Sequence, residues 1–188
     1  MITHKGTKTI QTTRLLLRRF TVEDAQAMFD NWASDERVTR FLTWDPHTSV
    51  EETKEILSAW CAAYENPDSY HWAMEYDGTV IGGISVVRFY DKRECADLGY
   101  CMGYDYWNKG LMTEAAKAVI DFLFTEVGVN RLEIAHAVKN PASGKVAQKC
   151  GFTYEGTKRE AFKTSSGEFL DIAYHSLLRR EWASGRKI

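Results

Sequence analysis

The sequence predicts an α+β fold, a mixed and mostly antiparallel twisted sheet flanked by helices, and three patterns carry that expectation. First, Asp97 to Tyr104 alternates, with Leu98, Tyr100, Met102 and Tyr104 on one face and Asp97, Gly99, Cys101 and Gly103 on the other. That is the period of a strand. Second, Met112, Ala115, Ala116, Val119, Ile120, Leu123 and Val127 recur at helical spacing, and Arg131 to Val138 reads as another strand. Strand, helix and strand form a βαβ unit with a right-handed crossover. Third, Asp77-Gly78 and Thr164 to Gly167 are hairpin turns between strand-like runs, so antiparallel strands lie on both sides of the parallel step.

Taken from the start, Arg14 to Phe20 is a short apolar run flanked by charge, the first strand. Thr21, followed by Glu23 and Asp24, opens a helix whose apolar face is Ala25, Met28, Phe29 and Trp32. Asp35 to Trp44 reads as a short helix and loop ending at Asp45-Pro46. Ser49 with Glu52 three residues on is a capping box for a helix from Val50 to Asn66. Strands follow from Tyr70 to Tyr76 and from Val80 to Phe89, with Gly82-Gly83 marking a bulge or close packing. Asn140 as N-cap, Pro141 in the first turn and Gly151 past the end punctuate a further helix. Thr153 to Phe162 and Glu168 to Leu177 make the last hairpin, and Arg179 to Ile188 is a charged tail with Trp182 as an anchor.

With 188 residues the chain fits one domain, residues 1–188, with a core large enough to need neither disulfide nor metal. A composition 44% hydrophobic and 27% charged, with a net charge of −2, is that of an ordinary globular protein. It gives no general attraction to nucleic acid or anionic membrane. No apolar run is long enough to span a bilayer, and the start lacks the apolar core of a signal peptide. Cys61, Cys95, Cys101 and Cys150 are scattered without a paired motif, so no metal site is expected and a reducing cytoplasm is the expected location.

The turn Trp107-Asn108-Lys109-Gly110-Leu111-Met112-Thr113 joins a strand end to a helix start. Unpaired backbone N–H groups at the positive end of a helix dipole bind phosphate. The window contains neither a Walker loop nor a dinucleotide fingerprint. Alone, Gly110 is better explained by the turn itself.

Together, that turn, Asn140-Pro141-Ala142-Ser143, Lys149-Cys150-Gly151-Phe152, the opening Thr13 to Arg18 and the closing Ser176 to Trp182 resemble the GNAT superfamily of acetyl-CoA-dependent N-acetyltransferases. Within it they resemble the branch of the ribosomal-protein acetyltransferases RimJ and RimL. The resemblance implies a single GNAT-like domain with a splayed pair of parallel strands at the cofactor site. It implies acetyl-CoA as co-substrate and an amine acceptor. The superfamily loop is written Gln/Arg-x-x-Gly-x-Gly/Ala; here Gly110 is kept, Trp107 stands first and Met112 last. Met112 would crowd the phosphates if its side chain faced them. Asn108 is a residue that tolerates positive φ.

By the same resemblance, Trp107, Asn108, Lys109, Gly110, Leu111, Met112 and Thr113 hold the diphosphate. The backbone of Met102, Gly103 and Tyr104 pairs with the pantetheine arm, and the Met102 N–H faces the thioester oxygen, where an oxyanion develops. Gly103 and Cys101 keep one face of that strand small for close approach. Asn140 and Ser143 form a second cofactor contact, although Asn140 serves as an N-cap on either reading. The resemblance also places the Ser143 hydroxyl near the cofactor sulfur, as the candidate proton donor to the leaving thiolate; the tyrosine many members carry in this helix is here Ala147. Asp97 is the candidate general base, with a salt bridge as its plain alternative; Glu75, Glu160 and His136 come behind it. The acceptor is a primary amine, with a protein N-terminus ahead of polyamines, amino acids and aminoglycosides. A non-catalytic acyl-CoA-binding module is the reading from another class. Monomer and homodimer both stay open.

Overall fold

A computed structural model describes residues 2–185. In these residues one sheet is formed by β1 (Ile10–Gln11), β2 (Leu15–Arg18), β3 (His71–Tyr76), β4 (Thr79–Tyr90), β5 (Cys95–Met102), β6 (Arg131–Ala137), β7 (Thr153–Lys163) and β8 (Phe169–Leu178). Their order is β1-β2-β3-β4-β5-β6-β8-β7, and β5 with β6 is the parallel pair. The last hairpin folds back so that β8, not β7, lies against β6.

The helices are α1 (Ala25–Met28), α2 (Glu36–Thr39), α3 (Val50–Ala63), α4 (Leu111–Phe122), α5 (Pro141–Lys149) and α6 (Arg179–Gly185). Alternation along β3 divides the apolar side chains between the two faces of the sheet. Trp72 and Met74 join Leu98, Ile134, Leu111, Ala115 and Val119 in a core that includes α4. Ala73 joins Phe20, Met28, Trp32 and Leu57 in a second core that includes α1 and α3.

Most expected boundaries hold to within a residue or two, and the departures have local causes. The Val50 helix stops at Ala63 rather than Asn66. Ser49 Oγ accepts the Glu52 N–H at 3.1 Å, but the Glu52 carboxylate returns to the Thr48 N–H at 2.8 Å, one residue before the capping box predicts. The expected irregularity at Gly82-Gly83 is a bulge at Ile81, where the pairing steps from Met74↔Gly82 to Glu75↔Val80.

The strand expected to reach Tyr104 ends at Met102. Gly103 N–H donates to Ile81 O at 2.8 Å, and Tyr106 N–H turns back to Gly103 O at 3.0 Å, closing a 3-10 turn over Tyr104–Tyr106. A Cβ on Gly103 would lie 2.6 Å from Asn31 O, so the small residue serves the approach of the helical turn Phe29–Ala33. This corrects the expectation that Gly103 makes room for the cofactor.

Trp182 anchors the end of the chain as expected, donating to Asp121 at 2.6 Å and packing 5.1 Å from the Phe124 ring. Residues 186–188 of the expected tail lie outside the described residues. No described helix is long and apolar enough to cross a membrane.

Candidate active site

Strands β5 and β6 pair from Cys95↔Arg131 to Leu98↔Ile134, and the pairing stops there although β5 runs on to Met102 and β6 to Ala137. A wedge opens between them. Gly103 N–H points at β4, so the alternation of an antiparallel ladder turns the main-chain groups of Met102 and Tyr100 the other way, into the wedge. The Met102 carbonyl accepts the Trp107 indole N–H at 2.7 Å, which ties the first residue of the bend to the end of the strand. The Met102 N–H and the N–H and C=O of Tyr100 then face the opening. Main-chain groups of this kind demand partners when buried, and an extended ligand carrying amides would supply them.

The bend sits at the mouth of the wedge. Asn108 and Gly110 both take left-handed backbone conformations, φ 61° and 77°, and Gly110 is the N-cap of α4. The bond from Glu114 N–H to Gly110 O at 3.0 Å opens the helix, so the N–H groups of Leu111, Met112 and Thr113 have no acceptor within it. Leu111 and Met112 turn their side chains into the core, 1% and 6% exposed. Met112 therefore contributes only its N–H at the helix start, and the crowding its size suggests does not arise. Met112→Ala is accordingly expected to lower stability by about 2–4 kcal/mol through the cavity it leaves, with acetyl-CoA affinity retained; chemical denaturation and calorimetric titration check the two halves.

The bend is braced from outside by residues the sequence reading did not assign. Glu114, in the first turn of α4, accepts from Thr12 Oγ1 at 2.7 Å and from the Arg14 N–H at 2.8 Å. The Arg14 guanidinium pairs with Glu114 at 2.7 Å and donates to Lys109 O at 3.0 Å. Lys109 is exposed, its ammonium 5.4 Å from the Tyr106 ring centre. Tyr104, expected in the strand, is exposed instead, under the Arg37 guanidinium at 4.1 Å and beside Trp107.

Across the wedge stands α5. Asn140 Oδ1 accepts the Ser143 N–H at 3.3 Å, completing the expected cap. Ser143 Oγ lies 3.0 Å from the Tyr100 hydroxyl, which is also 3.2 Å from Ser143 O. Ala147 is fully buried. Burial drives the Tyr100 phenol far above its ordinary pKa, so it stays protonated.

Asp97 lies in the closed part of the β5–β6 pair, beside Glu133. Its Oδ1 is buried without a hydrogen-bond partner, and burial, then the nearby Glu133 charge, raises its pKa. It precedes Met102 by five residues, roughly 17 Å along a strand, and Tyr100 by three, roughly 10 Å. Asp97 and the Met102 N–H therefore do not meet at one reacting carbon. Cys95, Asp97 and Glu133 bring potential ligand atoms within 4.8 Å of one another, a grouping the linear spacing concealed. Glu133 is already bound by Arg131 at 2.5 Å, and burial pushes the Cys95 thiol up to about 11, so this trio is poorly prepared to take a cation. Burial likewise pushes the Cys101 thiol up to about 12, which removes it as a nucleophile near neutral pH. Among the weaker base candidates, Glu75 is held by Arg18 at 2.7 Å, and Glu160 is exposed. His136 stacks on His175, with 3.1 Å between their Nε2 atoms.

A family profile described as an acetyltransferase (GNAT) domain matches residues 14–153, from the arginine that braces the bend to the first residue of β7. The chain belongs to the GNAT acetyltransferase family. It is an acetyl-CoA-dependent N-acetyltransferase.

Among its GNAT relatives, the uncharacterized N-acetyltransferase p20 of Bacillus licheniformis is 29% identical over 94% of this chain and 99% of that one. The ribosomal-protein-serine acetyltransferase of Escherichia coli is 26% identical over 71% of this chain and 72% of its own. The structure of RimL, a ribosomal L7/L12 N-terminal acetyltransferase solved with coenzyme A, superposes with a TM-score of 0.82 at 20% identity, covering 91% of this chain and 98% of that one. The eight-stranded mixed sheet with one parallel pair is thus the GNAT fold.

Proposed function

We propose that the chain is one domain that acetylates the α-amino end of a protein, with the wedge as its donor site. The observation that carries this is the opening between β5 and β6, lined by the Tyr100 and Met102 N–H groups and faced by Ser143. The diphosphate of acetyl-CoA rests on the N–H groups of Leu111, Met112 and Thr113, flanked by Trp107, Asn108, Lys109 and Gly110. The pantetheine arm runs along Met102 toward Tyr100, with Asn140 and Ser143 on its other side.

Ser143 sets where the thioester stops. Its Oγ meets the Tyr100 hydroxyl at 3.0 Å, and we assign the thioester to the level of that residue, one pleat or about 7 Å beyond Met102. On that assignment the oxyanion donor is the Tyr100 N–H, in place of the Met102 N–H that the resemblance implies, and the Met102 N–H holds the arm. A neutral amine attacks the carbonyl carbon, the C–N bond forms and the C–S bond breaks, while the Ser143 hydroxyl donates a hydrogen bond to the departing sulfur. The amine nitrogen gives its proton toward Asp97 through water. A thiolate with a pKa near ~8.5 is a tolerable leaving group, so positioning and backbone electrostatics supply most of the acceleration.

The α-amine preference follows from this modest acid–base equipment. At pH 7 roughly a tenth of a protein α-amine is neutral, against about a few in ten thousand of a lysine. The names of relatives that act on ribosomal proteins agree with it. The described cysteines are all unpaired thiols, which suits a reducing cytoplasm. The test is release of coenzyme A with a panel of N-terminal peptides, amino acids, polyamines and aminoglycosides. N-terminal peptides are expected to give the highest kcat/KM, by about tenfold or more; a preference for lysine or polyamine ends would overturn the acceptor assignment.

A further inference from the structure

The helix position where many family members are expected to carry a tyrosine is here the buried Ala147, yet a tyrosine hydroxyl does reach Ser143 from the opposite wall. It belongs to Tyr100, on the strand that carries the oxyanion donor. We infer that Tyr100 is a positioning residue for the reaction: its hydroxyl donates to Ser143 Oγ and leaves the serine proton directed at the sulfur of the thioester. This rests on the role given to Ser143 above.

The hydrogen-bond accounting favours that direction. A tyrosine hydroxyl has one proton, and a serine hydroxyl has one proton and two lone pairs. The two oxygens are 3.0 Å apart, and the other partner of the Tyr100 hydroxyl, Ser143 O, is farther at 3.2 Å. Ser143 O lies within α5, where a carbonyl already accepts the N–H four residues on. Ser143 Oγ is the nearer acceptor and the one not already engaged in a helix bond. Once Tyr100 occupies one of its lone pairs, a serine that would otherwise rotate has a preferred direction for its own O–H. Burial keeps the phenol protonated through the working range, so the orientation does not lapse as pH changes.

No proton passes through Tyr100 in this scheme. The amine proton leaves by water, and the sulfur departs as a thiolate steadied by the serine hydrogen bond. Removing the tyrosine hydroxyl should therefore slow the chemical step and spare ground-state binding.

Tyr100→Phe keeps the ring and its packing. It is expected to lower kcat by about 3- to 10-fold, the equivalent of one hydrogen bond, with the KM for acetyl-CoA and the Tm nearly unchanged. Ser143→Ala should lower kcat at least as much, and the double variant should match Ser143→Ala rather than multiply the two losses. A hydroxyl that merely ties strand to helix would instead raise KM and lower Tm with kcat unchanged. Should Ser143→Ala be slow while Tyr100→Phe runs at the wild-type rate, the positioning role is refuted and the serine role stands. Should Ser143→Ala run at the wild-type rate, the serine role itself fails and the positioning role falls with it.

Discussion

Gly110→Asp is expected to weaken acetyl-CoA binding by about 100-fold or more while the protein stays folded. The backbone at this position has φ 77°, a conformation that aspartate adopts more readily than most residues. A Cβ there would meet only the Arg14 guanidinium, at an ordinary 3.6 Å. The structural cost is thus confined to about 1–2 kcal/mol of backbone strain. The functional cost is of another order. A carboxylate at the N-cap reaches the same N–H groups of α4 that are assigned to the diphosphate, and it repels a second anion. Two charge-assisted hydrogen bonds at about 1.5–3 kcal/mol each correspond to a loss of roughly 100- to 20,000-fold. Gly110→Ala separates strain from charge and should cost only a few-fold. A truncated donor, the acetyl thioester of N-acetylcysteamine, carries no diphosphate, so wild type and Gly110→Asp should use it equally. Unchanged affinity of Gly110→Asp for coenzyme A would place the diphosphate elsewhere.

This contrast between side-chain identity and backbone geometry also explains what the sequence disclosed. Periodicity located β5, α4 and β6, because each buries one face against the sheet or the helix beside it, and burial writes a repeat into the chain. The same pattern placed the bend, but resemblance was needed to favour a phosphate there, because the proposed contacts are main-chain groups that no residue type announces. Periodicity could not say which way Met112 points, because a residue in the first turn can face core or ligand; its 6% exposure settles that. The end of β5 was overrun by two residues because Gly103 and Tyr104 continue the alternation while the Gly103 N–H is already bound at Ile81. Contacts between distant segments were out of reach altogether. Arg14 braces a loop 95 positions ahead of it, and Tyr100 meets Ser143 across 43. The one available signal for Tyr100 was its place on the apolar face of β5, where a hydroxyl must find a partner.

Asp97→Asn should lower activity and raise stability together, an outcome that separates a working base from a structural ion pair. The Asp97 carboxyl is buried beside Glu133, with one oxygen unpaired, and its pKa is raised. The folded protein therefore binds this proton more tightly than the unfolded chain. The group adds no penalty below its ordinary pKa, and the penalty grows as pH climbs from there until it is complete above the raised value. At pH 8 the substitution removes an ionised carboxylate that folding disfavours, so the Tm should rise; near pH 3 the two proteins should melt alike. A salt-bridged aspartate would behave in the opposite sense and lose stability on substitution. For activity, Asp97 precedes Tyr100 by roughly 10 Å along the strand, a span that a relay of two or three waters would have to bridge. Loss of a base acting through them should cost on the order of 100-fold in kcat/KM and flatten the acidic limb of the pH profile. The raised pKa makes the carboxylate a better base than a solvated one, and the same burial makes it a liability to the fold. A Tm that falls while kcat/KM holds would assign Asp97 to the scaffold and leave deprotonation to solvent, a division of labour that only an acceptor already largely neutral at pH 7 could tolerate.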